Sequence, residues 1–120
     1  MLVLALLAIL AAAVPASAQT TDVTTCQALI DQVRLSTETT TFVNTNDQTG
    51  LLGKLASATS KLEQGKPADA LRSLTQFQDK VETLVLQGKL DAADADILLT
   101  GDADSAGVNE AITCVASLAA

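Results

Sequence analysis

The stretch TGDADSAGVNEA, Thr100 to Ala111, is where the sequence comes nearest to a ligand-binding pattern. Asp102, Asp104 and Gly107 stand at the first, third and sixth places of a helix–loop–helix calcium loop, with Glu110 at the ninth. Such a loop also needs oxygen donors at the fifth and twelfth places, the last a bidentate carboxylate. Here those places hold Ala106 and Thr113. Val108 to Leu118 also has the apolar spacing of a helix, so the second half of the loop would already be wound up. The sequence therefore reads as a helix start: Asp104 or Ser105 caps the last helix, and Asp102 complements its positive end. No metal is expected. The alternative is a calcium-binding surface-adhesion module that uses the Asp102–Gly107 region weakly, through Asp102 and Asp104.

Other chemistries have less to work with. Asp91, Asp94 and Asp96 are close in sequence, and paired carboxylates do acid–base work when burial separates their pKa values. Their neighbours are alanines, and the spacing fits a capped, solvated helix start. No His exists to serve as a base or a metal ligand. Ser60 and Lys61 are adjacent, and adjacent helical residues do not face each other. No strand precedes a glycine-rich phosphate loop. Lys54, Lys61, Lys66, Arg72, Lys80 and Lys89 are dispersed among acids and make no nucleic-acid track. A net charge of -7, from seven basic and fourteen acidic residues, opposes nucleic acid and anionic lipid. With no Trp or Tyr and only two Phe, stacking platforms are scarce as well. Neither catalytic residues nor a cofactor are expected. The Thr-rich segment Thr37–Thr49 reads either as a binding or O-glycosylated surface loop or as a frayed helix end whose Phe42 and Val43 plug the bundle.

Cys26 and Cys114 are the only cysteines. An even pair in an exported chain reads as a disulfide, the alternative being two buried free thiols. It would close almost the whole domain into one loop, stabilising it by ~2–5 kcal/mol.

The elements that would hold these residues are helical. Cys26, Leu29, Ile30 and Val33 share one helix face, which Thr24 or Thr25 can cap. The run STETTT weakens helix propensity, leaving the first helix to end near Ser36 or to run to about Val43. NTNDQTG, 44–50, has the composition of a turn. A second helix, N-capped by Thr49, presents Leu51, Leu52, Leu55, Ala58 and Leu62 and ends before Gly65. Pro67 opens a third, with Leu71, Leu74, Phe77 or Gln78, Val81, Leu84 and Val85 inward and Gly88 beyond its end. Asp91 caps a short fourth helix with Leu90, Ala93, Ile97 and Leu98 inward and Gly101 after it. The last helix begins near Asp104 or Ser105 and turns Val108, Ala111, Ile112, Val115 and Leu118 inward. Nothing alternates as a strand does. The expected fold is all-α, a small antiparallel bundle of four to five helices with the first and last joined by the disulfide.

Residues 51–99, LLGKLASATSKLEQGKPADALRSLTQFQDKVETLVLQGKLDAADADILL, resemble the small helical module called FIMAH. The resemblance rests on Lys54-Leu55, Ala58, the Gly65 junction, Ala70, Leu74, Phe77, Val81 and Gly88-Lys89. It implies an accessory segment of exported or surface bacterial proteins, without catalytic residues. The Cys pair and the final helix are additions to that pattern.

Residues 1–18 read as a secretory signal peptide. Leu2–Val14 is an apolar run too short for the ~20 residues that span a bilayer, and Pro15 and Ala16-Ser17-Ala18 follow as a cleavage site. No Lys or Arg precedes the run, and Val23-Thr24-Thr25 before Cys26 is no lipid-attachment box. Residues 19–25 would be a polar leader and 26–120 a single helical domain, secreted or held in periplasm or cell wall. The expected role is interaction or structure, with a protein or a surface polymer as partner. Nucleic acid and stable membrane insertion after cleavage are not expected.

Overall fold

A computed structural model describes residues 23–119. The signal-peptide segment and residues 19–22 of the leader lie outside the described residues. Five helices follow one another: α1 (23–39), α2 (Thr45–Glu63), α3 (Pro67–Leu86), α4 (Ala92–Thr100) and α5 (Val108–Ala119). No strand is present among the described residues; a lone bridge pairs Gly101 with Ala106. The all-α bundle is the fold that the apolar periodicity implies, and its first and last helices are crosslinked as the lone cysteine pair implies.

Helix α3 is the central element, packing against α2, α4 and α5. Its Ala70, Leu74, Phe77, Val81 and Leu84 recur every three or four residues and are all buried. They meet Leu51, Leu55, Ala58 and Leu62 of α2 and Val108, Ala111 and Val115 of α5 in one apolar cluster. Ile30 and Val33 bring α1 into the same cluster, and Leu98 brings α4.

The two glycine junctions have one construction. After α2, the Gly65 N–H donates to the Leu62 carbonyl (3.0 Å) and the Lys66 N–H to the Lys61 carbonyl (2.8 Å). After α3, Gly88 donates to Val85 (3.0 Å) and Lys89 to Leu84 (2.8 Å). Both are Schellman ends, which need a residue with positive φ; Gly65 (74°) and Gly88 (71°) supply it. Pro67 then opens α3, where a missing N–H costs nothing. Such short connections turn successive helices back on one another.

Several helix boundaries differ from the sequence-based expectation. Residues 23–25 already belong to α1, so neither Thr24 nor Thr25 caps it. Helix α1 runs on through the threonines to residue 39, and the hydroxyls of Thr37, Thr39 and Thr40 donate to helix carbonyls three or four residues back instead of unwinding it. Helix α2 starts at Thr45 and not after Thr49: Asn44 is the N-cap, accepting from the Asn46 N–H (2.9 Å). The supposed turn 44–50 is thus mostly helix. On α4, Ala95 and Leu98 are buried, while Ala93 is exposed. Helix α5 starts at Val108, later than Asp104 or Ser105.

Candidate interaction surface

Cys26 of α1 and Cys114 of α5 form a disulfide, with Cα atoms 5.6 Å apart and a sequence separation of 88. Among the described residues no free cysteine remains. The bridge fastens α1 to the α5 side of the core. A second tie lies farther along α1, where the Ala106 N–H donates to Gln32 Oε1 (2.8 Å).

That second tie anchors the loop 101–107, which held the calcium-like pattern. The Oδ1 atom of Asp102 accepts from the Asp104 N–H (2.9 Å), the Ser105 N–H (2.8 Å) and the Ser105 hydroxyl (3.0 Å). These donors, the Asp104 N–H foremost and then the Ser105 hydroxyl and N–H, hold its carboxyl below the ordinary value. The Asp102 N–H in turn donates to the Ser105 carbonyl (2.9 Å). Asp102 therefore builds a tight turn and does not cap α5. Asp104 and Ser105 do not cap it either, since the helix begins beyond them. Gly107, the sixth residue of the calcium pattern, serves packing: a Cβ there would lie 2.5 Å from the carbonyl carbon and oxygen of Leu99. Among the described residues no three His, Cys, Asp or Glu side chains gather as a metal-ligand set.

The other acidic group is dispersed as well. Asp91 accepts from the Ala93 N–H (3.5 Å) as the N-cap of α4. Asp96 accepts from the Thr100 hydroxyl (3.3 Å). Ser60 is exposed and Lys61 half-buried on α2, and the Gln64 amide donates to the Ser60 hydroxyl (3.1 Å).

The Thr37–Thr49 segment divides into three parts. Thr37 is buried and bonded to its own helix. Gln48 reaches from α2 to donate to the carbonyls of Thr37 (3.0 Å) and Glu38 (3.2 Å), closing the end of α1. Phe42 packs on the core, while Val43 is 78% exposed and does not plug it. Thr41, Phe42 and Val43 border a shallow hollow completed by Gly88, Lys89, Leu90, Asp91 and Asp94.

An apolar surface feature adjoins that hollow. An open groove of about 430 Å³ runs between the end of α3 and α4, lined by Glu82, Val85, Leu86, Ala92, Ala95, Asp96 and Leu99. Its cause is visible in the chain. Leu84-Val85-Leu86 and Ile97-Leu98-Leu99 are consecutive apolar triplets on helices, where successive residues point about 100° apart. One member of each, Leu84 or Leu98, is buried in the core. The others fan outward until Leu86 stands 87% exposed. This triplet signal was present in the sequence and was absorbed there into the two core faces.

Comparison with protein-family models, curated proteins and solved structures returned no match.

Proposed function

We propose that the protein is an exported, non-catalytic helical module that works by binding a macromolecular partner outside the cytoplasm. The observation that carries this reading is the α3–α4 groove, where a helix end presents Leu86 to solvent beside Val85, Ala95 and Leu99. Leaving a leucine this exposed forgoes ~1.5–3 kcal/mol of burial, which a partner covering it would recover. Export is supported by the apolar leader with its Ala16-Ser17-Ala18 site and by the disulfide, since such bonds persist in oxidising compartments. Among the described residues no helix is long and apolar enough to cross a membrane. Catalysis is set aside because the chain has no His and its two Cys are joined to each other. The resemblance of residues 51–99 to FIMAH modules supports the same accessory role, and the groove lies within that span. A protein is favoured over a surface polymer, because the groove is apolar and lacks the aromatic platforms that sugars use.

The test is a photo-crosslinking amino acid in place of Leu86 in cells that export the protein. A discrete covalent adduct is expected there, and none from the same probe in place of Thr75, an exposed residue of α3 outside the groove. No adduct at Leu86, or equal adducts at both positions, would overturn the reading.

A further inference from the structure

The groove has a charge as well as a shape. Its lining contains two ionisable residues, Glu82 on α3 and Asp96 on α4, and both are acidic. Each comes from a different wall, so carboxylates border the apolar floor of Val85, Ala95 and Leu99 from both helices. No lysine or arginine lines it. The exposed ion pairs of Arg34 with Asp31 and Glu38 belong to α1, and the pair of Lys80 with Asp47 joins α3 to α2. None of these pairs involves Glu82 or Asp96. The chain as a whole carries -7, so the local sign and the global field agree.

Resting on the interaction reading above, we propose that the occupant is a cationic amphipathic segment of another protein. Its apolar side chains would fill the space beside Leu86, and its Lys or Arg residues would meet Glu82 and Asp96. A volume of about 430 Å³ takes a few side chains, which suits helix-in-groove recognition. A second copy of this chain is a poor occupant. Two-fold pairing of identical patches would bring Glu82 and Asp96 towards their own copies, and like charges set together oppose association. An anionic lipid surface is opposed by the same carboxylates.

The test uses two synthetic helical peptides with one identical Leu/Ala face, the opposite face all Lys in one and all Glu in the other. Each is titrated into the oxidised, exported protein labelled with nitrogen-15. The Lys peptide is expected to shift the amides of Val85, Leu86, Ala95 and Leu99. Its affinity should fall about three-fold or more in the Glu82→Gln/Asp96→Asn double variant and about ten-fold or more in Leu86→Ser. It should change less than two-fold in Glu63→Gln/Glu110→Gln, which removes the same charge away from the groove. The affected positions are exposed, so far-UV circular dichroism should report an intact fold in every variant. If the Glu peptide binds the groove as tightly and Leu86→Ser releases both, the docking surface stands and the cationic partner is wrong. If neither peptide shifts these amides, or the remote double variant weakens the Lys peptide equally, the inference fails, whatever the Leu86 crosslink shows.

Discussion

Replacing Gly107 by Ala is the sharpest test of the loop that joins α4 to α5. The added Cβ would sit 2.5 Å from the carbonyl carbon and oxygen of Leu99, and close to the Gly101 nitrogen as well, where ordinary contact begins at 3.4 Å. The neighbours are backbone, in the last turn of α4 and at Gly101 just beyond it, so no side chain can swing aside. The loop would have to retreat by about 0.9 Å, and it is pinned on its far side by Gln32 and internally by Asp102. Overpacking of this kind costs typically 1–3 kcal/mol, and a backbone obstacle belongs at the upper end, so about 3 kcal/mol is expected. For a domain of this size that lowers the melting temperature by roughly 12–24 °C. Gly53→Ala is the control: the same methyl meets nothing within 4 Å, in the exposed interior of α2. Helix propensity should make that change stabilising by ~0.5–1 kcal/mol. Thermal melts by circular dichroism, run with and without millimolar calcium, read both. If Gly107→Ala melts within about 3 °C of the parent, or if its loss appears only with calcium present, Gly107 is not there for packing and the argument against a metal loop collapses.

Two further outcomes follow from the termini and the loop. Replacing both Cys26 and Cys114 by Ala should cost about 4–5 kcal/mol, the loop-closure entropy for a separation of 88, measured by chemical denaturation of variant against parent. A loss below about 1 kcal/mol would show that the unfolded chain gains little freedom when the bond is gone. Asp102 gives a pH signature. Its folded pKa lies below 3.8, so its contribution to stability is complete above that value and is lost as pH falls through the lower folded value. Carboxyl NMR should find Asp102 titrating below 3.8, and Asp102→Asn should flatten that part of the acid limb; a titration at or above 3.8 would contradict the turn described here.

The features legible in the sequence were those decided locally. Gly65 and Gly88 must take positive φ to close Schellman ends, Pro67 suits a first turn, and Asp91 caps α4, each within a few residues of chain. The disulfide was legible because only two cysteines exist. Features settled by distant contacts were not. Thr49 looked like a cap, yet α2 extends back to Asn44 because Gln48 binds the end of α1 and Asp47 pairs with Lys80 of α3 (3.3 Å). The pairing of Asp47 with Lys80 joins two different helices, which no local propensity can show. The start of α5 was misplaced for a similar reason: Ser105 and Ala106 are held in a turn against α1, through the Ser36 hydroxyl (3.4 Å) and Gln32. Polar links between helices, such as Ser57 to Ser73 (3.1 Å) and Gln78 to Asn109 (2.7 Å), leave no periodic trace. The groove was legible in principle, since three successive apolar residues on a helix cannot all face inward.

The sulfur bridge has a mechanical consequence. Because Cys26 and Cys114 lie 5.6 Å apart at their Cα atoms, tension applied through the two ends of the domain passes from one strand of chain to the other across a covalent bond. Only the short lengths outside the cysteines would bear the load, and everything between them is shielded. Under oxidising conditions the domain should behave as an inextensible link, and the helices between the cysteines should keep their shape under load.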